Sequence, residues 1–275
     1  MGIFQNVCFF FSCLTLIFSF LSLWLQEKRL LWMLFLIVSL TLAALTGHIT
    51  LKELLPLALL YALHLLLTLN LQGFKRALLL FAASALSIAF LSPLFKPHLF
   101  DYLQLPHKPP FKMHYLEPFV GLFPLALSIP LLSRMHLRSV LLKTLMITSL
   151  SLFLFALLYS LFFPLEISLK LPLLTPLWLL ALLFFQVIPQ EAFYRGFLQR
   201  EIIALLSTKR ITFLTILALS LLAALIEQLK GQNTPLLIFS LYANCVSGIL
   251  YQTTRSLESS IFCHFLFKAL YFLIA

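Results

Sequence analysis

The sequence predicts an all-α protein that crosses a membrane several times. Its 275 residues are 62% hydrophobic and only 10% charged, and the mean hydropathy is +1.05. A soluble domain has about 25% charged residues. The few charged residues gather in short clusters between apolar segments, several of which reach the ~17–25 residues that a helix needs to cross a bilayer. These observations predict a polytopic bundle of transmembrane helices.

Polar clusters divide the chain into ten apolar segments, each predicted to be a membrane helix. Gln26–Arg29 separates the first two segments, for example, and Gly73–Arg76 separates the third from the fourth. A further segment between the seventh and eighth, Gly196–Leu206, is amphipathic. The ten predicted segments are Ile3–Leu25, Leu30–Thr46, Leu54–Leu71, Ala77–Phe95, Pro118–Ser133, Ser139–Phe163, Leu171–Ile188, Ile211–Leu229, Pro235–Leu250 and Leu257–Ile274.

The longest polar stretch, Lys96–Glu117, is the predicted boundary between two regions. It contains four prolines, three histidines and the only aspartate of the chain, Asp101. The spacing of the histidines and the aspartate matches no metal-ligand motif, so we interpret the stretch as an interfacial loop stiffened by proline. The predicted regions are a four-span region with this loop, residues 1–116, and a second transmembrane region, residues 117–275.

Charge and cysteine usage restrict the partners of the chain. The net charge of +10 is typical of basic loops that face anionic lipid headgroups. No basic run with interleaved aromatic residues suggests nucleic-acid binding. The four cysteines lie within apolar segments and have no zinc-ligand spacing. We therefore expect a multi-pass integral membrane protein, of a bacterial inner membrane or its equivalent, whose first partner is the lipid bilayer.

The stretch Pro189–Gly196 places polar and charged groups next to a strongly apolar segment. It contains Gln190, Glu191 and Arg195, and the last two are separated by four residues, so they share one face of a helix and can pair. Charged groups at membrane depth are costly and tend to be functional. A structural alternative is that the two charges only neutralise each other and join two helices.

Two later segments bring further ionisable groups to membrane depth. Glu227 lies near the end of the eighth segment, and His264 and Lys268 share one face of the tenth. A carboxylate and an imidazole in a dry bundle can activate a water for hydrolysis, with the carboxylate as base and the histidine as water ligand or oxyanion donor. The same groups could instead hold a divalent metal, although the sequence requires none.

These residues resemble the motifs of the CPBP family of polytopic membrane endopeptidases, which includes the type 2 CAAX prenyl proteases and bacteriocin-processing enzymes. That family carries Glu-Glu-x-x-x-Arg at the end of one helix, Phe-x-x-x-His on the next, and His-x-x-x-Asn or Asp two helices later. The corresponding stretches here are Gln190–Leu198, Ser220–Glu227, and Gly248–Leu257 with His264–Lys268. The resemblance covers roughly Ser139–Ala275 and implies a CPBP-type fold.

The resemblance also implies site residues, and several of them depart from the family pattern. The catalytic candidates are Gln190, Glu191, Glu227 and His264, and the supporting residues are Arg195 and Lys268. Gln190 replaces the first glutamate of the family, Glu227 replaces a histidine, and Lys268 replaces an asparagine. An amide cannot act as a general base. Glu191, Arg195 and His264 keep the residue types of the family.

Three functional interpretations stay open at this point. In the first, the chain is an endopeptidase that cleaves a prenylated or membrane-embedded peptide, with Glu191 or Glu227 as base. In the second, it is a degenerate relative that binds a peptide or lipid partner in an immunity or scaffold role. In the third, it is a transporter. An active enzyme needs a water-accessible cavity and an unpaired carboxylate. The degenerate alternative predicts a Glu227–Lys268 ion pair and a closed site.

Overall fold

In the computed structural model, the described residues form a bundle of ten helices. The structure describes residues 3–25, 30–69, 71–92, 114–131, 137–162, 175–206, 208–230 and 234–274, and no strand occurs among them. The predicted all-α fold class is confirmed. The helices are α1 (Ile3–Trp24), α2 (Leu31–Leu45), α3 (Leu51–Leu67), α4 (Gly73–Leu91), α5 (Glu117–Leu127), α6 (Leu137–Phe162), α7 (Thr175–Leu206), α8 (Lys209–Leu229), α9 (Thr234–Thr254) and α10 (Leu257–Ile274).

Five stretches of these helices are long and apolar enough to cross a membrane within the described residues: Phe4–Trp24, Gly73–Leu91, Val140–Leu157, Thr175–Leu206 and Arg210–Leu229. These stretches expose large apolar side chains, including Phe81 at 72% and Phe153 at 69%. A surface of this kind suits contact with lipid. The chain is an integral membrane protein.

The fifth predicted span, Pro118–Ser133, is wrong as a membrane-crossing helix. Helix α5 has only 11 residues, which corresponds to about 16 Å at 1.5 Å per residue, about half of a hydrocarbon core. Pro124 removes a helical N–H donor near its end, and the chain leaves the helix after Leu127. Helix α5 is buried along its described length from Glu117 to Leu125, so it is a core element rather than a lipid-facing one.

Helix α7 continues through the polar motif (Pro189–Gly196), whereas the sequence predicted that the span ends at Ile188. The helix runs without a break from Thr175 to Leu206 and contains two π-helical segments, Leu183–Val187 and Ala192–Gln199. Pro189 has no N–H to donate to the preceding turn, and a local π segment accommodates such a defect. Gln190 and Glu191 therefore lie in mid-helix between two π segments, and Arg195 lies within the second. Such segments are frequent at functional sites.

The backbones of α5 and α7 touch at one glycine. A Cβ atom added to Gly121 would lie 2.3 Å from the Cα of Pro189 and 2.7 Å from its carbonyl oxygen. Only a residue without a side chain permits this approach. The contact places the first turn of α5 beside the polar motif of α7.

The first four helices pack against the later ones. Phe20 of α1 lies 6.3 Å from Phe184 of α7 between ring centroids, and His64 of α3 lies 4.7 Å from Phe197. Arg76 of α4 forms a 2.7 Å ion pair with Glu201. Residues 93–113, which hold most of the predicted boundary loop with His98, Asp101 and His107, lie outside the described residues. The division at residue 116 stays a prediction.

Replacement of Gly121 by alanine is expected to force α5 away from α7. The added Cβ collides with backbone atoms, which cannot rotate away, so we expect a loss of about 1–3 kcal/mol of stability. The measurement is thermal unfolding of the purified protein in lipid nanodiscs.

Gly196→Ala is the matched control for this experiment. Its added Cβ would meet the Cδ1 atom of Ile129 at 2.5 Å, which is the end of a flexible side chain. We expect a smaller loss for this variant, and equal losses for the two glycines would contradict the assigned backbone contact.

Candidate functional site

The structure brings the predicted site residues together from three helices. Gln190 and Glu191 lie on α7, Glu227 lies on α8, and His264 and Lys268 lie on α10. These are the seventh, eighth and tenth helices, in agreement with the order that the motifs predicted. All of these side chains are buried except that of Lys268, which is 14% exposed.

Glu191 is held by two side chains of α10. Its Oε1 contacts Nδ1 of His264, and its Oε2 accepts a hydrogen bond from the Ser260 hydroxyl. Ser260 and His264 are four residues apart and so share a helix face. Glu191 and His264 are both fully buried, with at most 1% of either side chain exposed. The second ring nitrogen of His264, Nε2, has no hydrogen-bond partner among the described residues.

Arg195 joins Glu191 to α9. Its Nε lies 3.7 Å from Oε2 of Glu191, so the predicted pairing is confirmed as an ion pair. Its Nη2 donates to the backbone carbonyl of Asn244 at 2.6 Å and lies 3.2 Å from the Asn244 side-chain oxygen. The guanidinium fits closely because position 248 on α9 is glycine: a Cβ there would lie 3.3 Å from Cζ of Arg195.

Glu227 and Lys268 form the ion pair that the degenerate alternative predicts. Nζ of Lys268 lies 2.5 Å from Oε1 of Glu227. Ser240 donates to the other carboxylate oxygen, Oε2, at 2.8 Å. The same lysine donates to Oε1 of Gln190 at 3.0 Å. Each oxygen of the Glu227 carboxylate therefore has a partner, and the expected ion pair is confirmed.

Gln190 connects this pair to a second carboxylate that sequence reasoning missed. The Gln190 amide nitrogen donates to Oε1 of Glu117 on α5 at 3.0 Å. Lys230, just beyond the end of α8, lies 2.9 Å from each oxygen of Glu117. Glu117 is 1% exposed and Lys230 has a 15% exposed side chain.

Together these contacts form a polar core in which the fixed charges balance. The polar core comprises three carboxylates (Glu117, Glu191 and Glu227), three fixed cations (Arg195, Lys230 and Lys268), and the neutral or ionisable partners Gln190, Ser240, Asn244, Ser260 and His264. Each carboxylate has its own cation within 4.0 Å. Pairing of this kind is how a membrane interior accommodates charge.

The donor set does not suit a divalent metal as it is arranged. Within the part of the chain that the structure describes, no group of three His, Cys, Asp or Glu side chains is placed to hold a metal ion. The oxygens of Glu191 and Glu227 already accept hydrogen bonds or contact cations, and Nδ1 of His264 faces Glu191. A bound metal would have to displace these partners.

One comparison with known proteins finds a match. Residues 172–270 match the family described as "Type II CAAX prenyl endopeptidase Rce1-like". The C-terminal part of the chain is an Rce1-like domain. This confirms the resemblance to the CPBP family and supports a CAAX-type intramembrane-protease-like function in general terms. No curated protein and no solved structure matches the chain. Residues 1–171 lie outside the Rce1-like match, and so does Glu117.

Several residues of the polar core were not predicted as site residues, because the sequence carries only weak indications of their role. Ser260 precedes His264 by four residues, so a search of the same helix face could have found it. Asn244 is a lone amide within an apolar segment, which is an expected hydrogen-bonding position in a membrane helix. Glu117 and Lys230 stand at segment ends, where charged residues are common, and no spacing rule connects them to Gln190.

Replacement of Lys268 by methionine is expected to destabilise the protein strongly. Glu227 would be left as a buried carboxylate without its cation, which costs about 3–5 kcal/mol. The double variant Glu227→Gln/Lys268→Met removes both charges and should lose less stability than Lys268→Met alone. The measurement is equilibrium unfolding in bicelles.

Arg76→Met is the control, because it removes an ion pair that is partly exposed rather than buried. The Arg76–Glu201 pair is partly exposed, with Arg76 at 31%, so its loss should cost about 1 kcal/mol or less. A double variant Glu227→Gln/Lys268→Met that is as unstable as Lys268→Met, or less stable, would contradict the proposed coupling.

Proposed function

We propose that this protein is a membrane-embedded, Rce1-like binding protein for a lipidated or membrane-embedded peptide. In this proposal the hydrolytic centre of a CAAX-type endopeptidase has been replaced by a charge-balanced polar core. The Rce1-like match supports the relation to a membrane protease, and the contacts of the polar core support the loss of hydrolysis. The proposed location is a bacterial inner membrane or its equivalent.

The observation that carries the proposal is the pairing of the Glu227 carboxylate with Lys268. A general base must take up a proton from the water that it activates. Lys268 forms an ion pair with one oxygen of Glu227 and Ser240 donates to the other, so protonation of Glu227 would weaken both contacts. Gln190 supplies an amide in place of a carboxylate. These groups are therefore better suited to hold helices together than to activate water.

A second candidate function is hydrolysis by Glu191 and His264, and one observation favours it. Glu191 contacts Nδ1 of His264, while Nε2 has no described partner. A carboxylate that orients an imidazole in this way prepares the other ring nitrogen to act as a general base. This chemistry requires a water at Nε2, although the His264 side chain is only 1% exposed. The transporter alternative gains no support, because the charges of the polar core neutralise one another in pairs.

The test is to compare binding with cleavage. Purified protein in nanodiscs is titrated with a fluorogenic farnesylated peptide, and empty nanodiscs of the same lipid correct for partitioning into the bilayer. We expect saturable binding without a rise in product fluorescence. The same peptide without the farnesyl group should bind at least ~10-fold more weakly, since each buried methylene contributes about 0.8 kcal/mol.

Two variants separate the candidate functions. Turnover by the wild type that is lost in both Glu191→Gln and His264→Ala would overturn the binding-only proposal in favour of the Glu191–His264 peptidase. Absence of saturable binding and of turnover would remove the peptide-engaging function altogether.

A further inference from the structure

Glu117 is a buried carboxylate that lies outside the Rce1-like match, yet it contacts the centre of the polar core. Its Oε1 accepts a hydrogen bond from Gln190 at 3.0 Å, and both of its oxygens lie 2.9 Å from Nζ of Lys230. Tyr194 of α7 is also close enough for an electrostatic interaction with Glu117. A glutamate that is 1% exposed on an 11-residue buried helix requires such partners.

The backbone contact between α5 and α7 determines where this carboxylate lies. Gly121 follows Glu117 by one helical turn and occupies the same face of α5. It touches Pro189, the residue before Gln190. The missing side chain at position 121 thus allows the α5 carboxylate to reach the α7 amide. A bulkier residue at position 121 would hold the two groups apart.

The partners of Gln190 define which way its amide points. A carboxylate only accepts hydrogen bonds and an ammonium only donates them, whereas an amide does both at opposite ends. Glu117 therefore selects the Nε2 end of Gln190, and the Oε1 end is left to accept from Lys268 at 3.0 Å. Lys268 in turn forms an ion pair with Glu227. The orientation of one amide thus connects two ion pairs.

We propose that Glu117 is a positioning residue of the candidate site: it fixes the orientation of the Gln190 amide and, through it, the position of Lys268. Helix α5 then belongs to the functional unit, which extends beyond the matched region. Any effect of Glu117 on peptide binding rests on the proposed function, whereas its coupling to Gln190 does not.

A carboxylate at position 190 would conflict with the carboxylate of Glu117. A glutamate there would place two carboxylates about 3 Å apart, where neither can donate a hydrogen bond to the other. Like charges in such a site repel strongly. The groups facing them are Lys230, Lys268, Glu227 and Tyr194, so two cations would serve three carboxylates. Exchange of the two residues, Glu117→Gln with Gln190→Glu, keeps one carboxylate and one amide at the contact.

The experiment is a double-mutant cycle on the full chain in nanodiscs. We expect Gln190→Glu to lower the melting temperature by about 5 °C or more. The exchanged double variant should recover at least half of that loss, although Lys230 then faces an amide oxygen. A Gln190→Glu protein as stable as wild type, or a double variant with the summed losses of both singles, would overturn the proposal.

A second double-mutant cycle without an added charge applies if the Gln190→Glu protein cannot be produced in folded form. It combines Glu117→Gln with Gln190→Ala, which removes the amide without adding charge. Coupled residues should show non-additive changes in melting temperature in this cycle too. Additive changes would overturn the role of Glu117.

Binding of the farnesylated peptide separates positioning from simple stabilisation. Glu117→Gln should raise the Kd about 10-fold, because the Gln190 amide, one of the two acceptors of Lys268, is no longer held in one orientation. The control is Glu201→Gln, which breaks the Arg76 ion pair outside the polar core and should leave Kd unchanged. An unchanged Kd for Glu117→Gln in a peptide-binding wild type overturns the positioning role. If the wild type binds no peptide, the proposed function fails, and the melting cycle alone decides the coupling.

Discussion

The structure depends on one physical constraint, which is that a charge buried in a membrane protein needs an opposite charge beside it. The described interior contains three glutamates that are nearly or fully buried, and each has a lysine or an arginine within 4.0 Å. Removal of one partner leaves an uncompensated charge, whose cost far exceeds that of a surface ion pair. The helices that carry these groups are therefore tied to one another.

This constraint explains why the departures from the family motif occur together. A glutamate in place of histidine on α8 would be an isolated buried charge, and so would a lysine in place of asparagine on α10. Together they form the Glu227–Lys268 pair. The amide of Gln190 fits between that pair and the Glu117–Lys230 pair because it donates at one end and accepts at the other. Charge balance thus favours the whole set of replacements over any one of them.

The sequence predicted those parts of the site that follow from helical spacing and charge. Glu191 and Arg195 pair across one turn as expected, and opposite charges on α8 and α10 meet. It could not predict Glu117 as a partner of Gln190, because 73 residues separate them and their contact depends on the glycine-mediated approach of α5 to α7. The π segments of α7 were also missed, since a proline within an apolar run predicts a helix end as readily as a bulge.

The most direct test of the charge-balanced core is infrared spectroscopy of the protein in bilayers at neutral pH, with ¹³C-labelled glutamate to identify the carboxyl bands. Every buried glutamate should be ionised in the wild type, so no band of a protonated glutamic acid is expected. Such a band should appear in Lys268→Met and disappear again in Glu227→Gln/Lys268→Met. A protonated glutamic acid in the wild type that is lost in Glu227→Gln would contradict the ion pair and favour a carboxyl group available for proton transfer.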